Sequence, residues 1–257
     1  MNLIDTHTHL YLSEFDNDRE RVIKSAMNNG IRKFLLPNID NNTVLPMLKL
    51  ASQFPEACYP MIGLHPTSVK NNYDKELIRI ANWLPKETFY AIGEIGIDLY
   101  WDKTYKEEQM KAFREQIGLA LNNQLPVVIH IRESFDEVFQ ILDEFKPDYP
   151  KGIFHSFTGN LDQAHRAIAM GFKLGIGGIV TFKNAGLDKI VKDINPEHIV
   201  LETDSPYLAP VPKRGKRNES SYMVFTTQKI AELHNISIEK IAEITTQNAI
   251  KIFKLNK

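Results

Sequence analysis

Short apolar runs that alternate with longer amphipathic segments constrain this 257-residue chain more than any single residue does. Runs rich in Ile, Val, Leu and Phe lie near Leu3 to Thr6, Lys33 to Pro37, Tyr59 to Leu64, Phe89 to Glu94, Pro126 to Ile131, Gly152 to His155, Lys173 to Gly177 and Ile199 to Thr203. A strand buried on both faces reads as continuous apolar sequence, which is the pattern of a parallel sheet whose crossovers are helices. Segments near Phe15 to Asn29, Thr43 to Gln53, Lys75 to Leu84, Ser134 to Phe145, Leu161 to Met170 and Leu187 to Asp193 are long enough to return the chain to the same end of such a sheet. The clearest crossover, DKTYKEEQMKAFREQIGLALNNQ, places Met110, Phe113, Ile117 and Leu121 on one stripe of 3.6-residue period, with charged residues opposite.

Eight alternations in about 250 residues is the arithmetic of an α/β fold of the (β/α)8 TIM-type barrel. The expectation is one barrel domain over residues 1–257, with Tyr222 to His234 and Ile238 to Phe253 as additional C-terminal helices closing its outside. The competitor is an open doubly wound sheet, but no Gly-x-Gly-x-x-Gly follows the first strand, so its dinucleotide-binding version has no support. With 43% apolar residues the chain can bury a sizeable core.

Thirty-one basic and thirty-two acidic residues give a formal charge of -1. No global positive field exists to hold a polyanion, so any phosphate-binding surface must be local. The one cysteine, Cys58, excludes an intrachain disulfide framework and reads as a packed thiol. No basic leader and no long apolar span interrupt the pattern, which points to a cytoplasmic protein without membrane association.

Side chains at the C-terminal ends of barrel strands converge on one mouth. His7 and His9 stand at the end of the first strand, His65 at the third, Glu94 at the fourth, His130 at the fifth, His155 at the sixth, and Glu202 and Asp204 at the eighth. The two-residue period of a strand puts His7 and His9 on one face, where both can reach a single ion. Alone, a His-x-His is an ordinary hydrogen-bonded or exposed pair. With five of the eight histidines at strand ends, and Glu94 and Asp204 beside them, the set reads as a metal site. The ligands His7, His9, Glu94, His130, His155 and Asp204 exceed what one tetrahedral ion uses, whereas two divalent ions sharing a bridging carboxylate use them all. Mg, Mn and Zn all suit such donors. His165, His198 and His234 fall away from the mouth and carry no assigned chemistry.

In this order, DTHTHL, GLHP, EIGIDLYWD, PVVIHIRES, FHSFTGN, GIVTF and LETDSPYLAPVPKRGKRNE make the chain resemble, from Ile4 to Phe253, the TatD family of metal-dependent deoxyribonucleases. The resemblance implies an amidohydrolase-type barrel with two divalent ions that hydrolyses phosphodiester bonds of DNA through a metal-activated water. It implies that His7, His9 and Asp204 hold the first ion, that His130 and His155 hold the second, and that Glu94 joins both. No lysine ends the fourth strand, which separates this branch from dinuclear amidohydrolases that bridge their metals with a carbamylated lysine. The chain departs from the family where Asn218-Glu219-Ser220 replaces the frequent Asn-Glu-Pro, and where Gly177-Gly178 lacks an expected preceding serine.

Asp204 and Glu94 are the candidate catalytic residues, Asp204 as the acceptor that orients or deprotonates the attacking water. No Gly-x-Ser-x-Gly or Cys-His arrangement offers a covalent route. Arg132, two residues beyond His130, and His65 are candidate phosphate contacts, with an ion pair to Glu133 as the alternative for Arg132. The run Lys213 to Arg217, including Arg214 and Lys216, is a candidate contact for the DNA backbone. Tyr100, Trp101 and Tyr207 offer aromatic faces for unpaired bases, with loop packing as the alternative for at least one of them, and the absence of net positive charge and of a groove-reading helix makes short or single-stranded DNA the expected substrate. Two alternatives remain open: an amidase, lactonase or esterase of small molecules using the same metals, and a non-catalytic metal-binding barrel. Asp5, on the face shared by His7 and His9, is expected to support the site by hydrogen bonding.

Overall fold

The computed structural model describes residues 1–256. Its strands are β1 (Leu3–Asp5), β2 (Ile31–Pro37), β3 (Cys58–Met61), β4 (Ile92–Asp98), β5 (Val127–Arg132), β6 (Gly152–Phe154), β7 (Lys173–Ile176) and β8 (Ile199–Leu201). Its helices are α1 (Arg19–Asn28), α2 (Asn41–Gln53), α3 (Tyr73–Ala81), α4 (Lys106–Asn122), α5 (Phe135–Asp143), α6 (Leu161–Ala169), α7 (Leu187–Asp193), α8 (Met223–His234) and α9 (Ile238–Phe253). All neighbouring strands pair in parallel, in the orders β1-β2-β3 and β4-β5-β6-β7-β8. The two sheets are joined by single parallel bridges, Ile62 to Ile92 and Thr8 to Ser205, which close the ring of an α/β barrel. No helix among the described residues is long and apolar enough to cross a membrane.

The apolar runs supply two layers. One set of side chains, including Leu3, Phe34, Ile92, Ile129, Phe154 and Leu174, packs outward against the helices. The other, including Ile4, Leu35, Met61, Val128, Ile153 and Val200, fills the barrel and meets Ala249 and Phe253 of α9. Asn248 of α9 donates to the carbonyl of Ile199, and Lys254, just beyond the helix, to that of Gln124, so the C-terminal helix covers the end where the strands begin. The opposite end is left for chemistry. Cys58 is buried, and burial pushes its thiol up to about 12, in keeping with a packed side chain.

Two expectations need correction. The fourth strand does not end at Glu94; it runs on to Asp98, so Glu94 lies inside it. Leu121 does not belong to the buried stripe of α4 and is 39% exposed. Two glutamines take part in that stripe instead. Gln116 accepts from the Leu64 N–H at 2.7 Å and donates to its carbonyl at 3.2 Å, while Gln109 does the same for Asp98 at 2.8 and 3.2 Å. Each amide replaces a strand partner where the sheet has run out, because a buried backbone polar group without a partner is costly. Gln116→Leu keeps the volume but strands both groups of Leu64, and is expected to lower stability by about 1–3 kcal/mol in urea unfolding; an unchanged midpoint would show that water replaces the amide.

Candidate metal centre

The chain just past β1 stays extended between its neighbours. Thr8 donates its N–H to the Leu35 carbonyl, His9 to that of Ser205, and Asp204 donates to that of His7. The extension keeps the two-residue period, and the His7 and His9 Nε2 atoms lie 3.2 Å apart. Asp5 faces the seam between the first and eighth strands, accepting from Thr203 Oγ1 at 2.6 Å and Thr203 N at 3.0 Å. Burial raises its carboxyl to about 7, against the opposing effect of these hydrogen bonds. These bonds tie the first strand to Thr203, the residue before Asp204.

Glu94 owes its position to an irregularity. Ile92 pairs with Val127 but Ile95 pairs with Ile129, so β4 carries one residue more than β5 over this step. Such a bulge re-aims a side chain, and here the carboxylate points among the histidines, 3% exposed. Gly96, at φ +142°, permits the close approach that follows: a Cβ there would lie 2.0 Å from the His130 carbonyl oxygen.

The Glu94 carboxylate divides between two groups of imidazoles. Oε2 is 3.1 Å from His7 Nε2 and 3.9 Å from His9 Nε2. Oε1 is 2.6 Å from His130 Nδ1, 3.3 Å from His65 Nε2 and 3.7 Å from His155 Nε2. Asp204 Oδ1 stands 3.8 Å from His7 Nε2, 3.5 Å from His9 Nε2 and 3.9 Å from His155 Nε2. Four donors at about 2.0–2.1 Å from a tetrahedral ion lie roughly 3.3 Å from each other. His7 and His9 lie 3.1–3.9 Å from each other, from Glu94 and from Asp204, around that value, so these residues could hold a divalent ion. His65, Glu94 and His130 form a second set of converging donors, and His7, His155 and Asp204 a third.

Electrostatics agree with a cation site. Burial pushes the Glu94 carboxyl up, but His65, His7 and His155 outweigh it and hold it well below the usual carboxylate range. Asp204 is likewise held low, chiefly through His9, His155 and His7, despite its own burial. His7 is driven down by burial and by the neighbouring His155, whose ring stacks on it at 3.4 Å. His130, although its partial burial acts the other way, is raised to about 9 by the hydrogen bonds it donates to Asp98 and Glu94. Despite burial, His155 is likewise raised, to about 10, by Glu202 and Glu94, so the ionised carboxylates hold protons on His130 and His155, positions whose positive charge a divalent ion could supply instead.

His9 shows how the fold presents a lone pair. Tyr11 Oη donates to the Pro37 carbonyl at 2.6 Å and so accepts from His9 Nδ1 at 3.0 Å, an arrangement that in a neutral ring puts the lone pair on Nε2, towards the centre. Backbone outliers gather here too. Asp204 has φ +54° and Ser156 φ +45°, left-handed values that non-glycine residues seldom adopt and that cluster at functional sites.

Around the donors lies a cavity of about 440 Å³, lined by His9, His65, Glu94, Asp98, Trp101, His130, Arg132, Asp204 and Tyr207 among others. Of the residues picked from sequence for substrate contact, it brings in His65, Arg132 and Tyr207. Arg132 makes no ion pair with Glu133; its guanidinium packs 3.9 Å over Tyr100 and 5.3 Å from Trp101. Trp101 is 69% exposed. Arg214 and Lys216 do not line the cavity, and the Arg214 guanidinium sits 4.4 Å over Phe182. Arg217 is committed elsewhere, bridging Asp18 at 2.7 Å and Glu219 at 3.1 Å. His65 joins the candidate ligand sets, beyond its expected role towards phosphate. His155 Nε2 lies between Glu94 and Asp204, 3.7 and 3.9 Å from their nearer oxygens.

Sequence reasoning gave no role to Asp98, Glu202 or Tyr11, all buried beside the imidazoles. Asp98 stands within the EIGIDLYWD segment and Glu202 two residues before Asp204, so the strand period carried a signal for both.

A family profile described as TatD related DNase matches residues 4–254. An uncharacterized metal-dependent hydrolase of Bacillus subtilis, YabD, is 39% identical over 99% of this chain and 100% of its own length. The 3'-5' ssDNA/RNA exonuclease TatD of Pectobacterium carotovorum is 29% identical over 98% of this chain and 100% of its own. The crystal structure of YJJV, a TatD homolog from Escherichia coli, superimposes with a TM-score of 0.92 at 27% identity, covering 99% of this chain and 98% of that one.

Proposed function

The chain belongs to the TatD-related DNase family of metal-dependent hydrolases, and from that premise we propose that it hydrolyses phosphodiester bonds of short or single-stranded DNA at a dinuclear metal centre. One observation carries the reading: Glu94 turns each of its oxygens to a different group of imidazoles, inside a cavity that also presents Arg132 and exposed aromatic faces. His7, His9, Glu94 and Asp204 would hold one ion. Glu94, His130 and His155 would hold the other, with His65 near enough to join them.

Bound divalent ions lower the pKa of a water to near neutrality and offset the charge that builds on the phosphate oxygens. The remaining tasks fall to the chain. Asp204, with its carboxylate at the cavity floor, takes a proton from the attacking water. Arg132, freed of carboxylate partners and held by Tyr100 and Trp101, presents its fork to a phosphate. Trp101 and Tyr207 offer faces on which unpaired bases stack, which a duplex would not supply. Lys213, Arg214 and Lys216 lie outside the cavity and would meet only phosphates further along a strand. Arg217, tied to Asp18, would not.

The name of the Pectobacterium relative describes an exonuclease of single-stranded DNA and RNA, which supports this substrate class here. The test is to incubate the purified chain with single-stranded DNA, duplex DNA, RNA and a generic phosphodiester, with Mg, Mn or Zn added separately. Fastest loss of single-stranded DNA supports the proposal. Hydrolysis of small esters or lactones with no cleavage of any oligonucleotide would move the chain to the small-molecule reading.

Arg132→Ala is expected to weaken single-stranded DNA binding across all sequences and to reduce the slope of log affinity against log salt by about one. Trp101→Ala is expected to cost about 1–3 kcal/mol of binding with the salt slope unchanged. Fluorescence anisotropy over a salt series separates the two. Equal slopes for the wild type and Arg132→Ala would remove Arg132 from phosphate contact.

A further inference from the structure

Behind the donors, two buried carboxylates repeat one arrangement. Asp98 Oδ1 accepts backbone N–H groups, from Tyr100 at 3.0 Å and Trp101 at 3.3 Å, while Oδ2 lies 2.9 Å from His130 Nε2. Glu202 Oε1 accepts the Ser156 N–H at 2.6 Å, while Oε2 lies 3.0 Å from His155 Nδ1. This last pair is within ion-pair distance but without hydrogen-bond geometry, so two buried polar atoms face each other with no other partner, and Glu202 is fully buried. Its place is built in: a Cβ on Gly175 would lie 2.2 Å from Glu202 Oε2. In both cases the imidazole turns its other nitrogen, Nδ1 of His130 and Nε2 of His155, towards Glu94.

We propose that Asp98 and Glu202 are positioning residues that lock the tautomers of His130 and His155, holding the ring proton on the outer nitrogen so that the inner one offers a lone pair. A backbone N–H can only donate, so one oxygen of each carboxylate must stay an acceptor. The second oxygen is then left to accept from the ring. The carboxylate also adds negative charge that makes each imidazole a better ligand. Asp98 has a further consequence, since the same side chain holds the turn that carries Tyr100 and Trp101. The metal donors and the aromatic face are set by one residue.

Amide replacement tests the lock directly. In Glu202→Gln the remaining oxygen must serve Ser156, so the NH₂ faces His155 Nδ1 and forces the ring proton onto Nε2. Asp98→Asn does the same to His130 through Tyr100 and Trp101. The proposal rests on the metal reading above, so the measurement is metal affinity, by titrating Zn²⁺ into the chelator-treated full chain. The wild type is expected to take up two ions. Each variant is expected to bind one of them about 10–100-fold more weakly, with far-UV circular dichroism unchanged. ¹⁵N spectra of the histidine rings in the zinc-loaded wild type are expected to show zinc on His130 Nδ1 and His155 Nε2, with protons on the opposite nitrogens. If Glu202→Gln does not fold, Asp98→Asn and the wild-type ring spectra decide. Two ions bound with unchanged affinity in the variants, or zinc on the opposite nitrogens, would overturn the lock. A wild type that takes up no zinc overturns the metal reading, and the lock falls with it.

Discussion

Glu94→Gln is expected to abolish turnover, by about 10³-fold or more in kcat, and to leave less than two ions per chain while the barrel stays folded. The argument is geometric. Both oxygens are in use, Oε2 towards His7 and His9 and Oε1 towards His130, His65 and His155. Glutamine keeps the volume but offers one acceptor and one NH₂, so one group of imidazoles would face a donor where a lone pair had been. The centre would also lose the negative charge at its middle, leaving Asp204 as the one carboxylate among the candidate donors. The β4 bulge that carries the residue is held by backbone pairing with β5, so the barrel is expected to fold without its charge. Metal analysis, circular dichroism and single-stranded DNA cleavage together check this. Normal turnover with full occupancy would remove Glu94 from its bridging role.

Asp204→Asn is the second large effect. Its carboxylate serves His7, His9 and His155 at 3.5–3.9 Å and borders the cavity. Asparagine cannot take a proton from water, and loss of a general base costs about 10²–10⁴ in rate. The substitution should leave Arg132 and the aromatic faces intact, so the fall is expected in kcat with little change in KM. An equal fall through KM alone would make Asp204 a binding group. The left-handed backbone at this position, φ +54°, is tolerated by asparagine as well as by aspartate, so the local conformation survives.

Much of the fold was legible because a strand covered on both faces must be apolar throughout, and the runs from Leu3, Lys33 and Lys173 mark such strands plainly. The fourth strand was misjudged because its second half, Ile95 to Asp98, contains Gly96 and ends in an acid, which reads as a loop until β5 is seen beside it. Among the candidate donors, strand position was enough to gather His7, His9, Glu94, His130, His155 and Asp204 into one place. It could not allot them to halves, since His155 lies across the barrel from β1 and stacks on His7. Contacts between distant segments were out of reach in the same way. Arg217 looked like one of a run of free cations, yet its partner Asp18 precedes α1 at the other end of the chain. The supporting acids Asp98 and Glu202 were visible as residues but not as partners, because their roles depend on which ring nitrogen each one meets.

Loading the metal-free chain stepwise tests the central claim, that two ions around Glu94 hydrolyse single-stranded DNA. Chelator-treated protein is given zero, one and two equivalents of Mn²⁺, and cleavage of a labelled single-stranded oligonucleotide is followed at each step. No cleavage without metal, and a rate that rises to its plateau only as the second equivalent binds, is the expected result. Undiminished cleavage in chelator, or a plateau at one equivalent, would contradict the account.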